Sequence, residues 1–217
     1  MWDKLKEQFN LLKLEKKRLY LVTDSEKFIS KDDFLDAIAS ALQGGVDIVQ
    51  LREKTVPDSV IVDMGHKIRT LCDEYGATFI VNDRPDIARI VEADGVHLGQ
   101  SDINVEDARE ILGQNSIIGK SCHNTDEIIS AINEGADYVT FGPIFTTLSK
   151  SGEYIDFAQI QWVTDNIDIP VFLTGDISIT NIQELAQAGV NKVVMTNSIM
   201  YARIPEHSAR EVLKYLP

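Results

Sequence analysis

The chain has 217 residues, a net charge of −13, and a composition that is 44% hydrophobic and 25% charged. That length suits one α/β domain with a sizeable core, and the negative balance argues against general affinity for nucleic acid or for an anionic membrane. Two cysteines, Cys72 and Cys122, make neither a disulfide framework nor a zinc cluster; with no apolar run near about 20 residues and no secretory-type apolar stretch at the start, a protein of the reducing cytoplasm is expected.

Residues 1–17 read as an amphipathic helix, because Trp2, Leu5, Phe9, Leu12 and Leu14 recur at helical spacing. Such a helix would cover one end of the fold or a neighbouring subunit. A first strand is expected at Leu19–Thr23 and a helix at Lys31–Gln43, then strand Ile48–Arg52 and helix Asp58–Tyr75. Strand Phe79–Asn82 precedes helix Pro85–Glu92, and strand Gly95–Leu98 precedes helix Asn104–Leu112. The pattern continues with strand Ile117–Ser121, helix Thr125–Glu134, strand Tyr138–Phe141 and helix Asp156–Asn166. It ends with strand Val171–Thr174, helix Thr180–Ala188, strand Lys192–Thr196 and helix Pro205–Lys214.

Four segments repeat: GGVDIVQLR from Gly44, EADGVHLG from Glu92, GADYVTFG from Gly135 and AGVNKVVMT from Ala188. Each describes a helix that stops, turns at once and feeds a buried strand. The strands are nearly continuous in apolar character, as in a parallel sheet covered by helices. Eight strands alternating with eight helices predict a single (β/α)₈ barrel over residues 1–217, with 1–17 as a helical extension. An open doubly wound sheet is the competing architecture.

In such a barrel the chemistry sits where strands end. The second strand ends in Gln50, Leu51, Arg52, Glu53 and Lys54, and the third in Asn82, Asp83 and Arg84. The fourth runs out through His97 and Gly99 to Asp102, and the fifth through Lys120, Ser121 and Cys122 to His123. The sixth is followed by Thr146, Thr147, Ser149 and Lys150, the seventh by Thr174, Gly175 and Asp176, and the eighth by Thr196, Asn197 and Ser198. Arg52, Lys54 and Lys150 are suited to neutralising a polyanion. Asp83 and Asp102 are hard oxygen ligands, and magnesium typically takes one or two protein carboxylates with phosphate oxygens and water. Asn82, Ser121 and Ser149 add neutral hydrogen bonds. Together they suit departure of a diphosphate, whose charge needs stabilising. Each signal alone has an ordinary reading: Arg52 to Lys54 as a solvated loop, Asp83 and Asp102 as helix caps, His123 as a hydrogen-bonded rim residue. Their gathering at one end of successive strands is what carries the case.

The motifs LYLVTD, QLREK, VNDR, ADGVHLGQSD, IGKSCH, and GADYVTFGPIF with TTLSK resemble the thiamine phosphate synthases and their thiazole tautomerase relatives, from about Leu19 to the carboxyl end. The resemblance implies coupling of hydroxymethylpyrimidine diphosphate to a thiazole phosphate, releasing diphosphate with the help of Mg²⁺. It implies that Arg52, Lys54, Asn82 and Lys150 hold the diphosphate, that Asp83 and Asp102 bind magnesium, and that Tyr20, Gln50, His97 and Ser121 line the pyrimidine pocket. Thr147, Ser149, Gly175, Thr196 and Asn197 complete the substrate contacts. Arg52, Lys54, Ser121, Lys150 and His123 are the side chains expected at the reacting groups. The tautomerases use a histidine at the position of His123 and have typically lost the metal carboxylates. Both carboxylates are kept here, which favours the synthase, whereas Lys120 is more like the tautomerase branch. A barrel that binds a phosphate ligand without turnover is a third reading. Barrels of this sort are frequently dimeric, and residues 1–17 are a candidate contact for a homodimer.

Two departures from the family pattern stand out. The seventh strand usually ends in a Gly-Gly pair whose amides cradle the thiazole phosphate; here the second position is Asp176. A carboxylate beside a phosphate would weaken binding by like-charge repulsion, or it would cap the following helix and fill the anion site itself. The loop after Lys150 also looks shorter than usual and carries an extra acid, Glu153.

Overall fold

The computed structural model describes residues 13–145 and 155–217. Eight parallel strands close on themselves in sequence order: β1 (Leu19–Val22), β2 (Ile48–Leu51), β3 (Thr78–Asn82), β4 (Gly95–Leu98), β5 (Ile117–Cys122), β6 (Tyr138–Phe141), β7 (Val171–Leu173) and β8 (Val193–Met195). Closure is direct, with Leu19 opposite Val193 and Tyr20 opposite Val194, which excludes the open sheet. The helices are α1 (Lys31–Gln43), α2 (Asp58–Tyr75), α3 (Pro85–Ile90), α4 (Val105–Leu112), α5 (Thr125–Asn133), α6 (Phe157–Asn166), α7 (Ile182–Gln187), α8 (Asn197–Met200) and α9 (Pro205–Leu213). The four-residue helix α8 was not anticipated. Helix α3 stops two residues before the expected Glu92, whose φ of +52° is incompatible with continuing the helix.

Helix starts follow local chemistry. Ser30, Asn104, Asn124 and Asp156 each accept the backbone N–H three residues on, so α1, α4, α5 and α6 have satisfied first turns. The left-handed Gly76 ends α2.

The repeated polar residue before β2, β4 and β6 acquires a physical role. Asp47 accepts the N–H groups of Arg18 and Leu19, Asp94 accepts that of Phe79, and Asp137 accepts that of Ile118. Each carboxylate that opens β2, β4 or β6 therefore ties down the start of the preceding odd strand, where a parallel ladder leaves donors unpaired. Arg69 and Lys13 neutralise Asp94, and Arg109 neutralises Asp137. Residues 13–15 are helical and Leu14 is fully buried against the barrel interior; the remainder of the predicted helix, residues 1–12, lies outside the described residues. Lys192 secures this segment by donating to the carbonyls of Leu14, Glu15 and Lys17.

Side-chain parity sorts the strands into two environments. Tyr20, Ile48, Ile80, Ile117, Tyr138, Phe172 and Val194 fill the interior, while their chain neighbours pack outward under the helices. Two residues further along the strands, or four on β5, the inward positions become polar: Gln50, Asn82, Thr140 and Ser121. His97 joins them on β4. The interior thus changes from apolar to hydrogen-bonding toward the carboxyl ends.

Candidate active site

The pocket floor is a continuous hydrogen-bonded chain. Gln50 Nε2 donates to Tyr20 Oη at 2.6 Å, and Tyr20 Oη lies 2.8 Å from Tyr138 Oη. Tyr138 Oη lies 3.1 Å from His97 Nδ1, and His97 Nε2 is 2.9 Å from Ser121 Oγ and 3.3 Å from Thr140 Oγ1. Tyr20, Tyr138 and His97 are all buried. Burial pushes the His97 imidazole down to about 4 and raises both phenols well above their ordinary range, so all three groups are neutral near pH 7. The rings are also held by packing: His97 stacks on Tyr138 at 5.5 Å, and Phe172 meets Tyr20 and Tyr138 edge-on. Four members of this chain, Tyr20, Gln50, His97 and Ser121, are expected from sequence. Tyr138 and Thr140 are not, because a strand buried on both faces gives no local sign of which residues turn inward.

Above this floor the charged residues gather. Asp83 adopts φ +61°, a conformation unusual for a residue other than glycine, and its N–H donates to the His97 carbonyl at 2.8 Å. Its carboxyl is pushed above the ordinary range by burial and by contact with the Asp102 carboxyl, with Lys54 at 3.2 Å opposing the shift. Asp102 accepts the Gly99 N–H at 2.6 Å. Neither carboxylate caps a helix: Arg84 stands at the start of α3 without a side-chain capping bond, and Asn104 caps α4. Two carboxylates beside one lysine form a site that a divalent cation would relieve, and the pair matches the small protein share of a magnesium shell.

The QLREK loop divides its charges. Glu53 turns inward to accept from Ser25 Oγ at 2.7 Å, whereas Arg52 and Lys54 are exposed. Thr23 Oγ1 fixes the loop by accepting the Arg52 N–H. Arg84, next to Asp83, is already engaged with Asp58 and Asp86. Asn82 stands at the end of β3, opposite His97. Thr147, Ser149 and Lys150 lie outside the described residues.

At the seventh and eighth strands the backbone is decisive. Gly175 has φ +119°, and a Cβ there would stand 2.5 Å from the Ile144 nitrogen, so only glycine fits. Asp176 follows in the left-handed region at φ +45°, the conformation a second glycine would adopt freely. It does not cap α7, contrary to one expectation: no side chain caps that helix, and Asn181 donates to the Asp176 carbonyl. The Asp176 side chain is exposed. Thr196 and Asn197 begin the short helix α8.

Three further residues lie near the rim. Lys120 points outward from β5 and pairs with Glu134 at 3.5 Å, so it does not contribute the tautomerase-like cation its position suggested. Cys122 is buried on the same outward side, where its thiol is pushed up to about 12 mainly by burial. His123 is exposed and bonded to Glu127 through both its backbone N–H and Nδ1. A cavity of about 280 Å³ lies at the other end of the barrel, with Ile167, Pro170 and Lys192 in its wall and none of the expected site residues.

A family model described as thiamine monophosphate synthase matches residues 19–199. The thiamine-phosphate synthase of Thermosynechococcus vestitus is 42% identical over 210 residues, covering 96% of this chain. The chain spans only 58% of that relative's length. The thiamine-phosphate synthase of Clostridioides difficile is 39% identical over 199 residues, covering 91% of this chain and 93% of the relative. Among solved structures, thiamine phosphate pyrophosphorylase from Pyrococcus furiosus superposes with a TM-score of 0.82 at 31% identity, covering 97% of this chain and 96% of that one. The barrel, its polar carboxyl-terminal rim and these similarities agree: the chain belongs to the thiamine monophosphate synthase family.

Proposed function

We propose that this protein is a thiamine phosphate synthase that joins hydroxymethylpyrimidine diphosphate to a thiazole phosphate and releases diphosphate. The observation that carries the proposal is the pairing of Asp83 with Asp102 beside Lys54, adjoining the neutral floor of Gln50, Tyr20, His97 and Ser121. A magnesium ion held by Asp83 and Asp102 would neutralise charge on the departing diphosphate. Arg52 and Lys54, with Asn82 and Lys150, would bind and orient the diphosphate oxygens.

The neutral floor receives the pyrimidine. As the carbon–oxygen bond to diphosphate breaks, the leaving oxygen keeps the electron pair and the pyrimidine amino group supplies electron density to the cation that remains. The thiazole nitrogen lone pair then forms the new carbon–nitrogen bond. No enzymic nucleophile or strong base is required, so the protein contributes positioning and charge stabilisation. A neutral His97 suits that task, because an imidazolium beside the forming cation would oppose it. Gly175, Thr196 and Asn197 would contact the thiazole phosphate, with Asp176 exposed beside them. The outward Lys120 and the Glu127-bound His123 leave little support for the tautomerase reading. Small-molecule substrates, a cytoplasmic setting and a homodimer complete the proposal. Among the described residues no helix is long and apolar enough to cross a membrane.

The test is diphosphate release from hydroxymethylpyrimidine diphosphate with magnesium, with and without thiazole phosphate. Release coupled to formation of thiamine phosphate is expected. No coupled release from folded protein would overturn the proposal and direct attention to thiazole isomerisation.

A further inference from the structure

We propose that Tyr138 is a positioning residue that sets the proton order of the pocket floor, so that Ser121 presents its hydroxyl proton to the ligand as a donor. The order follows from which atoms can donate. Gln50 Nε2 can only donate, and it does so to Tyr20 Oη. Tyr20 passes its own proton to Tyr138 Oη, the other polar atom bonded to it. Tyr138 in turn donates to His97 Nδ1. An imidazole that accepts at Nδ1 is neutral and carries its proton on Nε2, so the direction of the Tyr138 bond alone settles the tautomer. The Nε2 proton is then directed at Ser121 Oγ, with Thr140 Oγ1 slightly further away. Ser121 is half-buried, and its own proton is left for a ligand above the floor.

The reverse order leaves a defect. If His97 donated from Nδ1, Tyr138 would donate to Tyr20, and Tyr20 would receive two donors with no acceptor for its own proton among the described residues. The forward order also leaves Gln50 Oε1 as an acceptor, since no donor reaches it among the described residues. The floor therefore offers a donor at Ser121 and an acceptor at Gln50. It fits a heterocycle with an acceptor, such as a ring nitrogen, and an amino donor, which is how this inference deepens the synthase reading on which its choice of substrate rests.

The experiment is ¹⁵N NMR of the full chain labelled at histidine, without ligand, with the His97 signals assigned by their loss in His97→Gln. The expected wild-type pattern is the neutral tautomer protonated at Nε2. Tyr138→Phe should average the two nitrogen shifts and lower kcat/KM for the pyrimidine diphosphate about 10-fold, the effect of one lost hydrogen bond. Tyr20→Phe should keep the Nε2–H pattern, because Tyr138 still donates to Nδ1. A wild-type Nδ1–H or averaged pattern overturns the inference, as does an unaltered pattern in Tyr138→Phe. If Tyr138→Phe does not fold, the wild-type and Tyr20→Phe spectra still decide. The spectra do not depend on turnover, so absence of synthase activity would remove the functional reading while leaving the proton order to be judged independently.

Discussion

Replacing Gly119 by alanine tests whether the pocket floor is as tightly determined as its geometry implies. Gly119 faces inward on β5, and a Cβ there would stand 2.1 Å from Tyr138 Cζ, 2.4 Å from Cε1 and 2.5 Å from Oη. Carbon atoms settle at about 3.5–4.0 Å, so the ring would have to withdraw by roughly 1.5 Å. It has nowhere to go, because Tyr20, Phe172 and His97 lie 5.9, 5.8 and 5.5 Å from its centroid. Overpacking of this kind costs about 1–3 kcal/mol. Pulling Tyr138 Oη away from Tyr20 and His97 removes two hydrogen bonds worth about 1 kcal/mol each. The expected loss is therefore roughly 4 kcal/mol, which for a domain of this size lowers Tm by roughly 8–16 °C. Urea titration should show the loss as a lower midpoint at constant slope, with a fall in kcat/KM. Combining Gly119→Ala with Tyr138→Ala should lose less than the sum of the single changes, since the second makes room for the first. A loss below about 1 kcal/mol with wild-type kinetics would refute the reasoning, because it would mean that the ring yields easily.

Three further outcomes are expected. Asp102→Asn keeps an oxygen for the Gly99 N–H but removes a charge, so magnesium-dependent turnover should be abolished while the circular dichroism spectrum is retained; full metal dependence in that variant would remove the metal assignment. Asp176→Gly should stabilise the protein by about 1 kcal/mol by relieving the left-handed backbone and should tighten binding of the thiazole phosphate, measured calorimetrically; unchanged affinity would mean that the side chain points away from the anion. Asp94 predicts an acid limb of stability. Burial alone would raise its carboxyl, but Arg69, Lys13 and the Phe79 N–H hold it below the ordinary range. A carboxyl with a lowered folded value contributes stability that is fully present above about pH 4 and is lost as pH falls through the folded value. Asp94→Asn should therefore flatten the fall of Tm below about pH 4, and an unchanged acid limb would assign that limb to other carboxyls.

Much of the architecture was legible in the chain itself. Helices α1 and α2 fall at Lys31–Gln43 and Asp58–Tyr75 as the pattern implies, because periodicity, caps and terminating glycines act over a few residues. The strand ends were legible for the same reason, and with them Gln50, His97, Asp83 and Asp102. What could not be read was direction. Strands buried on both faces show no alternation, so nothing local distinguishes Ser121, which turns to His97, from Lys120, which turns to Glu134. Tyr138 looked like one more apolar strand residue until closure set it between Tyr20 and His97, 118 and 41 residues away in the chain. The carboxylates opening the repeats looked like turn residues, yet Asp94 reaches Phe79 fifteen positions back. Local chemistry determined the elements and the residue types at their ends; only the closed barrel decided which side chains meet, because those contacts join atoms that nothing but the register of neighbouring strands brings together.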